Sequence, residues 1–135
     1  MTAVIFDLDG TLIDSAADIA ANANAVLEEL GLGTLPPEQI ASFVGRGVPH
    51  LLQRVLEASG MAPEGPLLRP MIQRFNALYE TAFENTVIYP GVTNALAQLS
   101  EMGCVLGMCT NKPIAPTRAV LRHLGLEQHF ASVYG

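Results

Sequence analysis

The sequence predicts an α/β protein in which a parallel sheet is interrupted after its first strand by an all-helical insertion. Three observations lead to this prediction. The chain opens with a short apolar run, continues with a long region of apolar residues at helical spacing, and from residue 87 onward alternates strands with single helices. Strands separated by single helices pair in parallel through right-handed crossovers, as in a Rossmann-like core. We assign residues 1–14 and 86–135 to this core and residues 15–85 to the insertion.

The first strand is predicted at residues 4–6, where β-branched and aromatic residues precede a glycine, and its apolar sequence indicates burial. The first helix of the insertion follows and runs to Gly31, where the apolar periodicity stops. The segment SAAD at residues 15–18 has the form of a capping box. We therefore expect Ser15 and Asp18 to cap this helix.

Three further helices are predicted in the insertion. Prolines at positions 36, 37 and 49 are typical of helix starts, and a loop at residues 62–66 precedes the fourth helix. The insertion would leave and re-enter the core beside the end of the first strand, so we expect it to cover that end as a lid. The remaining core elements are predicted as a helix that ends before Gly103, a strand at residues 104–109, a helix at residues 116–124 and a strand at residues 131–134.

Composition narrows the class of partner. The chain is 50% hydrophobic and only 15% charged, with a net charge of −6, which is typical of a soluble globular protein. An acidic chain lacks the basic field that nucleic acid requires, and no apolar stretch approaches the roughly 18 residues of a membrane span. We expect a cytoplasmic protein with neither a nucleic-acid nor a membrane partner. Cys104 and Cys109 are expected to be core thiols on opposite faces of one strand, too far apart for a disulfide.

The segment DLDGTL, directly after the first strand, carries most of the chemical information. On extended backbone Asp7 and Asp9 point to the same side, whereas Leu8 points into packing. Two carboxylates this close require a cation or a shared proton, and Mg²⁺ suits a site built from oxygen ligands. Gly10 permits a positive φ and a close approach of ligand to backbone, and Thr11 adds a hydroxyl. The segment therefore predicts a phosphoryl group bound together with Mg²⁺.

A second polar cluster follows the next core strand. Thr110 and Asn111 lie at its carboxyl end, as Asp7 and Asp9 do at the end of the first strand. Ligands of open parallel sheets bind outside the carboxyl ends of the strands. We therefore expect these four side chains at one edge of the sheet.

The segment at residues 7–11 resembles the first motif of the haloacid dehalogenase-like superfamily, most of whose members are phosphatases. The segments VGRG at residues 44–47 and TNKP at residues 110–113 are similar to its phosphoglycolate phosphatase branch, and the similarity extends over all 135 residues. The resemblance implies a small helical cap over the core. It also implies that a small phosphorylated metabolite is hydrolysed with Mg²⁺ through an aspartyl-phosphate.

The resemblance further implies a role for each acid. Asp7 would be the nucleophile, and Asp9 would protonate the leaving oxygen and then take a proton from the attacking water. Mg²⁺ would contact the Asp7 carboxylate and the Asp9 backbone carbonyl. The residues alone do not distinguish the two acids. An acid at Asp9 favours phosphate esters, because relatives that attack a carbon centre or a phosphonate carry a different residue there.

Further residues are candidates for binding phosphate or substrate, together with Gly10 and Thr11. Thr110 resembles the second motif, a hydroxyl that holds a phosphoryl oxygen, and Asn111 could add an amide donor. Arg46, between two glycines of the insertion, suits an anionic tail such as a carboxylate, with a surface arginine in a tight turn as the equal alternative. The charge of Lys112 suits phosphate, but the family's catalytic lysine lies on a later segment, which favours a lysine in a solvated loop.

The family resemblance favours 2-phosphoglycolate as the substrate, and so does Arg46, which suits its carboxylate. A sugar-phosphate phosphatase or a phosphomutase would, however, share nearly every residue named. A phospho-receiver module and a non-catalytic phosphate-binding domain remain alternatives from other classes. The family pattern continues beyond Gly135 with a lysine and an acidic pair, so we expect a core truncated at its C-terminus. Such a chain would bind metal weakly and turn over poorly, if at all. The oligomeric state is not predicted.

Overall fold

The chain folds into a parallel α/β core and a helical insertion, seen in a computed structural model that describes residues 2–135. The α/β class and the helical insertion after the first strand are thus confirmed. In chain order the elements are β1 (Ala3–Phe6), β2 (Ile13–Asp14), α1 (Ala16–Glu29), α2 (Pro37–Ala41), α3 (Val48–Ala58), α4 (Leu68–Tyr79), β3 (Val87–Ile88), α5 (Val92–Glu101), β4 (Val105–Cys109), α6 (Ile114–His123) and β5 (Ser132–Tyr134).

The core sheet has the strand order β1, β4, β5, and both pairings are parallel, as predicted. Phe6 of β1 lies beside Met108 of β4, so the two strands end almost level. Their carboxyl ends therefore meet at one edge of the sheet. The acidic segment follows β1 at this edge, and Thr110 follows β4.

Two expectations about burial in the core strands are wrong. Val4 and Phe6 pack against the core, but Ile5 points to the opposite face and is 65% exposed. Cys109 is likewise exposed, and Cys104 precedes β4 and is half-buried. The reason is the alternation of side chains along a strand: in the part of the chain described, one face of β1 packs against the core and the other does not.

The two connections between core and insertion pair with each other, which the sequence analysis did not predict. β2 and β3 form an antiparallel ladder in which Ile13 lies opposite Ile88 and Asp14 opposite Val87. The Tyr89 N–H adds a hydrogen bond of 3.0 Å to the carbonyl of Leu12. The chain that leaves the core is thus tied to the chain that returns.

The capping box predicted at the start of α1 is wrong. Neither Ser15 nor Asp18 caps the helix; the buried Asp18 carboxylate instead accepts hydrogen bonds from the returning chain. The donors are the Asn85 N–H at 2.9 Å, Asn85 Nδ2 at 3.2 Å and Thr86 Oγ1 at 2.6 Å. Three tertiary donors satisfy a buried carboxylate better than one helical N–H, so the local pattern is overridden. The start of α1 therefore holds both connections together.

The insertion has a hydrophobic core of its own. Buried side chains from α1, α2, α3 and α4 form one cluster, whereas the sheet, α5 and α6 supply a second cluster. Phe75 and Leu52 are fully buried in the first, and Leu121 and Leu8 in the second. The insertion is therefore a packed unit set on the core. Across residues 2–135 no helix combines the length and the apolar character needed to cross a membrane.

We expect Asp18→Ala to lower the free energy of unfolding by about 2–4 kcal/mol, because it leaves the buried Thr86 hydroxyl and the Asn85 N–H without an acceptor. Urea unfolding of the variant and of the unmodified protein measures this loss. Asp14→Ala is the matched control, since that carboxylate is exposed and makes only a 3.4 Å bond to the Ala16 N–H. Equal losses in the two variants would contradict a stabilising role for the hydrogen bonds from Asn85 and Thr86 to Asp18.

Candidate active site

A small cavity lies at the carboxyl ends of β1 and β4, beneath the insertion. Its volume is about 40 Å³. The core contributes Asp7, Asp9, Thr110, Asn111 and Lys112 to the wall. The insertion contributes Ile19, Val44, Gly45, Gly47, Val48, Leu51, Phe75 and Tyr79. A polar floor thus faces a largely apolar roof, and five of the candidate residues come together.

Asp7 presents an open carboxylate to this cavity. Its Oδ1 accepts the N–H of Leu8 at 2.8 Å, and Leu8 is fully buried, as expected from its position between the acids. Within residues 2–135, Oδ2 of Asp7 receives no hydrogen bond. One oxygen is therefore fixed by the backbone, and the other is free to meet a ligand.

Asp9 is held more tightly than Asp7. Its Oδ1 accepts hydrogen bonds from Ser15 Oγ at 2.5 Å and from Lys112 Nζ at 3.2 Å. Ser15 is buried at the start of α1, and its hydroxyl serves Asp9 instead of the helix end. The two acids therefore differ in environment, although they are two residues apart.

Lys112 is buried in the cavity wall, so the expectation of a solvated loop lysine is wrong. Its side chain is 3% exposed, and Nζ donates to the Tyr79 hydroxyl at 2.6 Å and lies 3.9 Å from the centre of the Tyr79 ring. The N–H of Lys112 bonds to Thr110 Oγ1 at 3.2 Å, which folds the turn after β4 back toward the cavity. The ammonium thus reaches Asp9 and Tyr79.

Burial changes the pKa values of both Lys112 and Tyr79. It lowers the pKa of Lys112, and the Asp9 carboxylate opposes that change by its charge and its hydrogen bond. Burial also raises the pKa of the Tyr79 hydroxyl, to which the Asp9 charge adds. Tyr79 therefore keeps its proton and accepts a hydrogen bond from Lys112.

Thr110 and Asn111, directly after β4, link the end of this strand to β5 and to the insertion. The Thr110 N–H bonds to the carbonyl of Tyr134 at 3.1 Å, and its side-chain oxygen accepts from Lys112. Asn111 Nδ2 donates to the carbonyl of Gly45 at 3.2 Å, which joins the core to the insertion. The close approach depends on Gly47, which has a φ of 90° and whose added Cβ would lie 3.3 Å from the Asn111 carbonyl oxygen.

Gly10 and Thr11, predicted to bind phosphate, do not lie on the cavity wall. Gly10 does have the expected positive φ, at 80°. Its N–H, however, bonds to the carbonyl of Ile13 at 2.9 Å, and the Thr11 N–H bonds to the carbonyl of Leu8 at 3.1 Å. The turn after the acidic pair therefore uses both amides itself.

Arg46 is also not brought to the cavity. Its flanking residues Gly45 and Gly47 line the cavity wall, but the exposed Arg46 side chain lies in an outer groove with His50 and Arg54. The glycines bring the loop backbone to the cavity, and the guanidinium points elsewhere. The alternative of a surface arginine in a tight turn describes this arrangement.

Two residues of the site, Ser15 and Tyr79, were not predicted from the sequence. Ser15 carries a recognisable signal, since it stands six positions after Asp9, but its fit to a capping box concealed the contact. Tyr79 ends α4 within an apolar helical stripe, and nothing in that stripe marks its hydroxyl as part of a site. The contact between Tyr79 and Lys112 joins positions 33 residues apart in sequence.

The described residues fit part of a Mg²⁺ site. Mg²⁺ in phosphoryl-transfer sites is held by one or two carboxylates, with waters and phosphate oxygens as the other ligands. The free oxygen of Asp7 is a suitable ligand, whereas the Asp9 carboxylate already accepts two hydrogen bonds. No group of three or more His, Cys, Asp or Glu side chains among residues 2–135 is arranged to hold a metal ion.

The family model of the haloacid dehalogenase-like hydrolases matches residues 4–135. The chain belongs to this family. The resemblance drawn from the acidic segment is therefore confirmed.

Several of the proteins similar to this chain are described as phosphoglycolate phosphatases. A phosphoglycolate phosphatase of Rhodobacter capsulatus is 47% identical over 133 residues, which cover 98% of this chain and 61% of the relative. One of Cereibacter sphaeroides is 42% identical over 136 residues, with 100% and 62% covered. A crystal structure described as a predicted phosphoglycolate phosphatase from Haemophilus somnus superposes with a TM-score of 0.90 at 26% identity, covering 100% of this chain and 62% of that one. The chain thus spans about three fifths of the length of these three proteins.

We expect Asp9→Asn to lower the pKa of Lys112 further, because the variant removes the carboxylate that opposes the effect of burial. An NMR titration of the Lys112 ¹³Cε signal measures the change, with Asp7→Asn as the control. In the folded protein the pKa of Lys112 is already below its unfolded value, so this group makes stability rise with pH from the lowered pKa to the unfolded one. An Asp7→Asn effect as large as that of Asp9→Asn would contradict the specific pairing.

Proposed function

We propose that the protein hydrolyses phosphate monoesters, with Asp7 as the nucleophile and Asp9 as the general acid and base. The observation that supports this most directly is the contrast between the two acids on one cavity wall. Asp7 has an open oxygen, as a nucleophile requires, and Asp9 is held by Ser15 and Lys112. A nucleophilic carboxylate that forms a covalent intermediate divides one difficult displacement into two easier ones.

The proposed reaction has two steps. An Asp7 oxygen attacks phosphorus, the bond from phosphorus to the ester oxygen breaks, and Asp9 gives its proton to the leaving oxygen. A water molecule then attacks the phosphorus of the aspartyl-phosphate, Asp9 takes a proton from that water, and the bond to Asp7 breaks to release phosphate. Asp9 thus returns to its starting state after each turnover.

The two carboxylates of the cavity repel an anionic substrate. Binding it therefore requires hydrogen-bond donors or a cation beside the acids. The Thr110 hydroxyl and the Asn111 amide at the strand ends are the proposed hydrogen-bond donors to the phosphoryl oxygens. We propose Asp7 and the Asp9 backbone carbonyl as the protein ligands for Mg²⁺, which when bound would offset the repulsion between carboxylate and phosphate. The apolar roof of the insertion would exclude bulk water and so strengthen these interactions.

We propose 2-phosphoglycolate as the preferred substrate. The names of the relatives support this choice. Because Arg46 points away, we propose that the carboxylate of the substrate faces the start of α3, where Gly47 and Val48 line the cavity and the helix dipole favours an anion. We also propose that the enzyme is cytoplasmic. The proposed substrate is a small phosphorylated metabolite, the chain is acidic, and Cys104 and Cys109 are free, all of which support this location.

We expect Asp7→Asn to reduce phosphate release from 2-phosphoglycolate at least about 1,000-fold in the full-length protein, because the amide cannot act as the nucleophile. Malachite-green detection of phosphate with a panel of sugar phosphates measures both rate and preference. Asp14→Asn, a carboxylate outside the cavity, should leave the rate unchanged. Removal of Mg²⁺ with EDTA should abolish turnover.

Each other result would assign a different function. Faster turnover of a sugar phosphate than of 2-phosphoglycolate would replace the substrate. Stable phosphorylation of Asp7 without release would favour a receiver module. Binding of phosphate with no turnover in Mg²⁺ would favour a non-catalytic domain.

We expect Gly47→Ala to reduce activity about tenfold, because its Cβ would press on the Asn111 carbonyl and displace the insertion from the core. Gly60→Ala is the matched control: Gly60 lies outside the cavity wall, has a φ of 76°, and an added Cβ would meet nothing within 4 Å. Both variants force a side chain into the left-handed region and should lose about 1 kcal/mol of stability. Steady-state kinetics distinguish this common loss of stability from the loss of activity expected only at Gly47. Equal activity in the two variants would argue against the importance of the close approach of Gly47 to the Asn111 carbonyl.

A further inference from the structure

The ammonium group of Lys112 bridges the core and the insertion. Nζ bonds to Asp9 of the core at 3.2 Å and to the hydroxyl of Tyr79, the last residue of α4, at 2.6 Å. It also lies over the Tyr79 ring, where a cation is attracted by the negative face of the aromatic system. The lysine side chain is 3% exposed, so water does not compete for these partners.

Stability is a weak explanation for this arrangement. Moving an ammonium group out of water costs more than a buried ion pair usually returns, and an apolar residue of similar size often serves stability as well. A buried pair does, however, fix the direction of the groups that form it. The arrangement therefore has more value for geometry than for stability.

The hydrogen bonds to Asp9 converge on one of its oxygens. Both Ser15 Oγ and Lys112 Nζ donate to Oδ1, and among residues 2–135 nothing donates to Oδ2. Two donors on one oxygen restrain rotation of the carboxylate and leave the other oxygen to carry a proton. Oδ2 is thus the atom from which Asp9 can transfer a proton toward the cavity.

We infer that Lys112 is a positioning residue that orients the Asp9 carboxylate for proton transfer, and that Tyr79 makes this orientation depend on the insertion being seated on the core. The inference rests on the proposed function, in which Asp9 is the acid. Tyr79 moves with α4, so its contact with Lys112 exists only while the insertion covers the site. Without that contact the ammonium keeps Asp9 as its partner but loses the group that fixes its own position.

The leaving group of the substrate distinguishes positioning from general damage. An alkyl phosphate needs a proton on its leaving oxygen, whereas a nitrophenyl phosphate leaves as a stable anion and needs little help. We expect Lys112→Met to lower kcat for the alkyl ester about 100-fold and kcat for the nitrophenyl ester only a few-fold, with KM little changed. Tyr79→Phe, which keeps the ring and removes the hydroxyl, should give the same selectivity with a loss of about tenfold.

Two controls bracket these variants. Asp9→Asn should show the same dependence on the leaving group, and Lys112→Met should add little to it, because the two residues act as a unit. Arg74→Met, on α4 like Tyr79, breaks an exposed ion pair to Glu29 of α1 and should change the turnover of neither ester. Equal losses for both esters in Lys112→Met, or a raised KM for both, would overturn the inference and indicate a structural or phosphate-binding lysine.

A second measurement separates failure of this inference from failure of the proposed function. If the unmodified full-length protein cleaves neither ester, the proposed function fails, and urea unfolding of Asp9→Asn, Lys112→Met and the double variant tests the contact instead. A midpoint shift of the double variant smaller than the sum of the single shifts supports the pairing. Additive shifts overturn it.

Discussion

The ion pair between Asp9 and Lys112 is the interaction on which the geometry of the cavity depends. Two carboxylates at the end of β1 create negative charge that needs a partner, and the partner in this fold is a buried ammonium group. That ammonium is tolerable only because the Tyr79 hydroxyl and ring receive it. Tyr79 belongs to the insertion, so the polar surroundings of this buried ammonium group depend on the insertion above it.

The architecture meets that requirement by tying the insertion down where it joins the core. The β2–β3 ladder and the Asp18 carboxylate hold the outgoing and returning chains together, while the insertion packs around its own apolar cluster. A unit with its own core and a fixed base can move as a whole without unfolding. Across the cavity Asn111 donates to the Gly45 carbonyl, and Lys112 donates to Tyr79 while lying over its ring; such a movement can break both contacts.

Local sequence patterns predicted what depends on local physics. Helical periodicity, the apolar run of β4 and the positive φ of Gly10 follow from neighbouring residues alone, and the topology of parallel strands brought Thr110 to Asp7. The errors share a different cause. Asp18 bonds to a residue 68 positions away and Lys112 to one 103 positions away, so a capping box and a solvated loop were the best local readings of contacts made at long range. The direction of the Arg46 side chain is likewise set by packing.

The residues alone did not distinguish Asp7 from Asp9, but their surroundings give a physical reason for doing so. Among the described residues each acid keeps one oxygen that accepts no hydrogen bond, so the difference lies in the other oxygen: Asp7 Oδ1 accepts only the Leu8 N–H, whereas Asp9 Oδ1 accepts from Ser15 and Lys112. A general acid needs a fixed orientation and an oxygen that can carry a proton, and the donors on Asp9 Oδ1 supply the first and leave Oδ2 for the second. The asymmetry comes from Ser15 and Lys112, not from the acids, so the proposed division of roles depends on the start of α1 and the turn after β4.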